Sequence, residues 1–295
     1  MSRTSAGCMI RLLGSRGLVP AEYSAQSLGE AARSEPHDGV YTVSNTYHVT
    51  QVVAVDEHFD RLEESARLEG IPLLLDRQAV RRALRSMIEE SRFGDVRFRI
   101  TVPRTGDPIT LSIEPFHGIP HETYEKGVRC VTVPGVVRAN AGSKTTGWMH
   151  DRRVISERLP PGVQEAILCS DRGELLEGIS SNFYAVLAAE PTTVRTAGSQ
   201  VLPGIAQRIL RMIEGAEREG YSAASGSPWF RFDPRPPLIS DLQRCIESFL
   251  TSSSRGIVPI VEIDGKSIGS GVPGVLTRHL MELYGAWVES HLVEM

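Results

Sequence analysis

EAILCSDRGELLEGISSNFYAV, residues 165–186, decides how the second half of this 295-residue chain folds. Ala166 to Cys169 is a short apolar run, Asp171-Arg172-Gly173 is turn chemistry, and Leu175-Leu176 resumes the apolar run. That order reads as a β-hairpin. Gly178 bends the chain where the hairpin ends, and Asn182 to Leu187 reads as another strand.

Outward from this stretch, VRCVTVPGVV (128–137) is a strand upstream, and FLTSSSRGIVPIVEIDGKSIG (249–269) returns to strand downstream. LPGIAQRILRMIEGAEREG (202–220) is a helix with Ile205, Ile209, Met212, Ile213 and Ala216 aligned at helical spacing. A last helix starts near Pro273 and carries Leu280, Leu283, Trp287 and Val288. The second half is strand-rich with peripheral helices.

The first half differs. GVYTVSNTYHVTQVVAVD (39–56) alternates β-branched or aromatic residues with polar ones, as paired strands do. Asp56 stands at an N-cap position ahead of HFDRLEESARLEG, where Phe59, Leu62 and Ala66 share a face. DRQAVRRALRSMIEESRFG (76–94) gives a second helix with Val80, Leu84, Met87 and Ile88 on one side. DVRFRITVPR and DPITLSIEPF form a hairpin ending near Phe116. The reading is an α+β chain of two domains. Residues 1–38 are a weakly patterned lead-in, 39–116 a small α+β domain, 117–127 (HGIPHETYEKG) a linker, and 128–295 a larger domain.

Acids and bases are interspersed, with net charge −4, so no electrostatic footprint for nucleic acid or an anionic membrane is present. No apolar stretch approaches the roughly 20 residues of a membrane span, and MSRTSAGCMIRLLGSRG is too broken by Arg and Gly for a secretory signal. A cytoplasmic protein is expected. Cys8, Cys130, Cys169 and Cys245 show no C-x-x-C spacing and no clustered His, so neither a disulfide framework nor a metal site is expected.

Three segments supply what an aldehyde-phosphate cofactor needs. Lys144 is one of only three lysines, the other basic residues all being arginine. It precedes two threonines and a glycine, a compact setting in which an amine can be partly desolvated, as a Schiff-base lysine requires. Lys126 and Lys266 read as solvated charges. Glu177 at a strand end can hold a pyridine nitrogen protonated, although a surface glutamate ahead of a glycine turn has the same sequence. LPGIAQR opens a helix with free amides after a Pro-Gly turn, a natural phosphate seat, and TSSS (251–254) offers hydroxyls and amides after a strand.

Taken in order, DGVYTV, DEHFDRLEESA, SKTTGW, EAILCSDRGELLEGISSNFYAV, VLPGIAQRI and FLTSSSRGIVPIVEIDG resemble the fold type IV pyridoxal 5'-phosphate (PLP) enzymes, the class IV aminotransferase family. This family includes branched-chain and D-amino acid aminotransferases, R-selective amine transaminases and aminodeoxychorismate lyases. The resemblance covers residue 38 onward. It implies a small α/β sandwich-like domain and a larger pseudo-barrel domain carrying the PLP lysine, a homodimer, and PLP as cofactor. By that resemblance Lys144 holds PLP as an internal aldimine and shuttles the substrate proton, while Glu177 partners the pyridine nitrogen. Arg61 reaches the phosphate with a planar donor fork. The backbone of Ile205 and Ala206, with Ser252 and Ser253, completes the phosphate cup, and Ser181 and Asn182 match the S-N pair beside the ring.

Departures from the family pattern are as informative. Ala206 replaces the usual Thr of L-P-G-I-T-R, which removes a phosphate-facing hydroxyl but not the amide. VPRTGDPITL offers Arg104 but lacks the R-x-H carboxylate trap of D-amino acid aminotransferases. Met149 stands where branched-chain enzymes have Tyr, and Trp148 is similar to the N-W pattern of R-selective amine transaminases. Arg138, Arg152 and Arg153 flank the lysine and could bind a substrate carboxylate or form structural ion pairs. The leading expectation is an aminotransferase moving an amino group from an amino acid or amine to a keto acid. A lyase eliminating pyruvate, or a PLP-binding protein with little turnover, are the alternatives.

Overall fold

A computed structural model describes residues 7–189, 191–220 and 230–295. They fall into two compact units. The first comprises the chain up to Gly118, Ser143–Asp151 and His291–Met295; the second comprises Ile119–Gly142 and Arg152–Ser290.

The first unit is a five-stranded sheet built from β1 (Met9–Gly14), β2 (Gly17–Pro20), β3 (Val40–Asn45), β5 (Val96–Val102) and β6 (Ile109–Pro115). Its strand order is β2-β1-β6-β5-β3. The lead-in contributes β1, β2 and a short helix α1 (Leu28–Ala31). Its weak pattern has a physical cause, because β1 is an edge-side strand whose residues are mostly half-buried and show little alternation. Strand β3 pairs with β5, and β4 (Gln51–Val53) pairs with the distant β16 (Leu292–Glu294). Helices α2 (Val55–Leu68) and α3 (Arg77–Ser91) cover one face of the sheet.

Both helices are amphipathic at the expected positions. Phe59 and Leu62 of α2 meet Val80, Leu84, Met87 and Ile88 of α3 over Phe98, Ile100 and Leu111. Burying each such side chain contributes roughly 1.5–3 kcal/mol. Asp76 caps α3 by accepting from Ala79 N–H at 2.9 Å. Asp56, expected as the N-cap of α2, lies instead inside its first turn, and the cap is Ala54 in the left-handed region. There Asp56 still complements the helix dipole.

The opposite face of the sheet carries Tyr41, Arg99, Thr101 and Ser112, and the lead-in closes over it. Glu35, fully buried, accepts from Arg99 Nε and Nη2 at 2.9 and 2.6 Å and from Thr101 Oγ1 at 2.7 Å.

In the second unit, β7 (Val128–Pro134), β8 (Glu165–Cys169), β9 (Leu175–Gly178), β10 (Asn182–Leu187), β13 (Cys245–Ser252) and β14 (Gly256–Ile263) close into a six-stranded barrel. Closure comes from β9 pairing with β10 through Asn182 and Glu177. The interior holds Val128, Cys130, Ile167, Leu175, Phe183, Leu250 and Ile260. Strands β11 (Thr192–Arg195) and β12 (Phe230–Asp233) extend the sheet beyond β10, and β15 (Lys266–Ser267) lies beside β14. The Asp-Arg-Gly turn of the β8–β9 hairpin needs glycine, since Gly173 has φ +75°, where an L side chain is strained.

Outside the barrel lie α6 (Ile205–Gly220) and α7 (Val275–Ser290). Helix α6 buries Ile205, Ala206, Ile209, Leu210 and Ile213, so its apolar stripe lies toward Leu210 and leaves Met212 half exposed. The segment read as a linker contains a helix, α4 (His121–Lys126). Lys144 precedes a helix, α5 (Thr146–Ser156). The lysine segment, expected with the barrel, packs in the first unit instead, because its backbone is bonded to β3. Among the described residues no helix is long and apolar enough to cross a membrane, and all four cysteines are free and buried.

Candidate active site

Helix α2 presents His58, Arg61 and Ser65 along one face, at the i, i+3, i+7 spacing that stacks side chains over successive turns. Phe59 and Leu62 take the other face into the core. Thr42, on β3, lies opposite. Its hydroxyl accepts from Arg61 Nη2 at 3.0 Å and is 2.7 Å from His58 Nδ1. Arg61 Nη2 is itself 3.4 Å from the same Nδ1. Burial pushes His58 well below its ordinary value of 6.5, and the charges of Arg61 and Lys144 push it further the same way. The imidazole is therefore neutral, and Nδ1 accepts from the Thr42 hydroxyl. A neutral histidine and a threonine thus help to aim the Arg61 guanidinium.

Lys144 is strapped to the same strand. Its carbonyl accepts from Tyr41 N–H at 3.0 Å, and its own N–H donates to Ser65 Oγ at 3.1 Å. Thr146 N–H donates to Gly39 O at 2.8 Å, and Gly39 N–H donates to Thr146 Oγ1 at 2.8 Å. Lys144 Nζ stands 4.8 Å from the centroid of the Tyr41 ring, a cation–π distance. Tyr41 was not read as a site residue from the sequence, where it looked like one aromatic in a strand. The signal was available in DGVYTV, but only pairing with the distant lysine segment gives it meaning.

In the second unit, Glu177 ends β9 and is buried. Its Oε1 accepts from Arg138 Nη1 and its Oε2 from Leu202 N–H, both at 3.3 Å. Asn182 Nδ2 donates to Leu202 O at 2.9 Å, and a Cβ at Gly204 would collide with Asn182 Oδ1. The S-N asparagine therefore holds the turn that launches α6. Ile205 and Ala206 supply the first amides of this 16-residue helix, which have no intrahelical acceptor. Ser252 ends β13 and Ser253 follows in the turn to β14. Ser181 Oγ donates to Glu165 at 3.3 Å.

The remaining candidates have other surroundings. Arg104 is exposed and donates to the carbonyl of Glu69. Arg138 forms a buried ion pair with Glu177, the structural alternative for that residue. Trp148 is half-buried on α5, its N–H donating to Thr145 Oγ1 at 3.2 Å, and Arg152 donates to Ile179 O at 3.1 Å. Among the described residues no group of three or more His, Cys, Asp or Glu is placed to hold a metal ion. Glu165 and Arg255, which tie together the Ser180–Ser181 and Ser252 segments, also escaped the sequence reading.

The family described as Amino-transferase class IV matches residues 39–263, most of the chain. A D-alanine aminotransferase of Bacillus licheniformis is 26% identical over 258 residues, 82% of this chain and 85% of its own. The branched-chain amino acid aminotransferase of Escherichia coli superposes with a TM-score of 0.72 at 19% identity, covering 95% of this chain and 94% of its own. A hypothetical aminotransferase from Mycobacterium tuberculosis in its PLP-bound form gives 0.72 at 20% identity, covering 95% and 99%. At these identities the structural likenesses speak for the fold. The chain belongs to the class IV aminotransferase family. It is a PLP-dependent transaminase, with amino acid and keto acid substrates.

Proposed function

We propose that Lys144 is the residue that binds PLP covalently and moves the substrate proton, and that Arg61, Glu177, the α6 amides and the Ser252–Ser253 turn hold the cofactor. The observation that carries this is the double strap on Lys144, which fixes its backbone to Tyr41 and Ser65 on the strand and helix that also aim Arg61. The donor set fits the group. PLP has an aldehyde, an anionic phosphate and a ring nitrogen, and the chain offers an amine, a guanidinium with helix amides and hydroxyls, and a buried carboxylate. Gly204 lets the Asn182 side chain pack against the helix start, where a Cβ would collide with its Oδ1, and so helps to hold the α6 amides in place.

When bound, PLP supplies an electron sink for cleaving a bond at the substrate α-carbon. With the cofactor bound, Lys144 Nζ would be the base that takes the substrate α-proton and the acid that gives it back. Glu177 would hold a proton at the ring nitrogen, with Arg138 Nη1 steadying the carboxylate at 3.3 Å. Arg61 binds the phosphate as a fork, with Thr42 fixing its angle.

Absorbance of purified protein given PLP tests this, for wild type and Lys144→Ala, before and after D- and L-amino acids and (R)-amines. A near-visible band that needs Lys144 and shifts with one donor class is expected. A band indifferent to Lys144→Ala would overturn the assignment. We propose a homodimer from the family resemblance, and light scattering giving the mass of a single chain at working concentration would refute it.

A further inference from the structure

Glu165 on β8 is 1% exposed, and its Oε2 is a junction for three donors. Ser180 Oγ donates at 2.7 Å, Ser181 Oγ at 3.3 Å and Arg255 Nη2 at 3.1 Å. Arg255 spreads its fork over two turns. Nη2 also donates to Ser180 Oγ at 2.8 Å, while Nε donates to Ser252 Oγ at 3.0 Å. The backbone of Arg255 is fixed as well, its carbonyl accepting from the Tyr124 hydroxyl at 2.8 Å.

The two serines are left in different states. A hydroxyl has one proton and two acceptor sites. Ser180 gives its proton to Glu165 and accepts from Arg255, so its one proton is committed within the protein. Ser252 accepts from Arg255, and among the described residues nothing takes its proton. The guanidinium occupies one lone pair, so the Ser252 O–H points away from it. A cationic donor also polarises the hydroxyl it binds, which strengthens that hydroxyl as a donor in turn.

We propose that Glu165 and Arg255 are positioning residues for the anionic end of the cofactor. Glu165 anchors the guanidinium, the guanidinium orients Ser252, and Ser252 donates to a phosphate oxygen. This rests on the assignment of the Ser252–Ser253 turn to the phosphate. It also accounts for Ala206. The hydroxyl missing from the start of α6 is replaced by one on the opposite turn whose direction is fixed from behind, as a supporting shell fixes a site's donors.

The test compares dissociation constants for PLP and for pyridoxal, which has the same aldehyde without phosphate, by quenching of tryptophan fluorescence. The variants are Ser252→Ala, Arg255→Lys and the two combined, with folding checked by thermal melts. Lysine keeps a charge against buried Glu165 but cannot hold Ser252 and Glu165 at once. Ser252→Ala is expected to weaken PLP about ten-fold, the size of one hydrogen bond to a charged group, and to leave pyridoxal binding unchanged. Arg255→Lys should do the same, and the combined variant should be no weaker than Ser252→Ala alone.

If Ser252→Ala alters the PLP to pyridoxal ratio and Arg255→Lys does not, the positioning role is wrong and the phosphate seat stands. If losses in the combined variant add, Arg255 acts independently and the proposal also fails. If Ser252→Ala leaves the ratio unchanged, the seat itself is wrong. Should Arg255→Lys not fold, Glu165→Gln releases the same guanidinium and is expected to give the same selective loss, and an unchanged ratio there overturns the proposal.

Discussion

Replacing Thr42 by Val removes one hydroxyl from the centre of the first unit while keeping the side chain's volume. Thr42 is fully buried, so no water reaches the vacated position. The hydroxyl makes two bonds, to Arg61 Nη2 at 3.0 Å and to His58 Nδ1 at 2.7 Å. Losing an acceptor for a charged donor costs about 1.5–3 kcal/mol, and a neutral bond about 1. Arg61 is only part-buried and recovers some of its loss from solvent, so the net destabilisation expected is about 2 kcal/mol. Urea unfolding of Thr42→Val against Thr42→Ser measures it, since Ser keeps the hydroxyl and loses only a methyl group. If the Val variant is as stable as wild type while the Ser variant is not, methyl packing rather than the hydroxyl matters at this position, and the account of how Arg61 is aimed is refuted.

Other outcomes follow from the same geometry. His58 is held below its ordinary pKa, so the unfolded chain binds the extra proton. Stability is fully present above about pH 6.5 and falls as pH drops below it, by at most about 1.4 kcal/mol per pH unit; His58→Gln should flatten the difference in urea midpoint between pH 7.5 and pH 5.5. Gly204→Ala drives a Cβ into Asn182 and should cost about 1–3 kcal/mol, partly recovered in a Gly204→Ala, Asn182→Ala double variant if the collision is the cause. Met295 is buried against the first unit's core, and Met295→Ala should lower the urea midpoint by the equivalent of about 2 kcal/mol. An unchanged midpoint would show that the residue does not pack there.

Local features were legible in the sequence. The stripe Val80, Leu84, Met87 and Ile88 announced α3, and Asp-Arg-Gly announced the β8–β9 hairpin, because both depend on neighbours a few residues apart. Pairings across long separations were not. Nothing in GVYTVSNTYHVTQVV tells that its first strand pairs with Val96–Val102 and its second with Leu292–Glu294, because each strand's alternation fits several partners. Met212 misled for a related reason, since an apolar residue on the flank of a helix fits the period while the packed stripe runs through Leu210. The site divided likewise. Lys144 and Glu177 were marked by residue type, whereas Tyr41, Thr42, Glu165 and Arg255 gain their roles only from contacts the fold creates.

The pairing of β4 with β16 also orders events in time. Chains of several domains commonly fold from the N-terminus as they are made. Here the second unit is complete once Ser290 has been added, while the first still lacks Leu292–Glu294 and its buried Met295. The part of the chain synthesised first is therefore the last to close. A chain cut after Ser290 would keep every strand of the barrel and leave the lysine-bearing unit open, a truncation whose damage falls far along the sequence from the strands it unfolds.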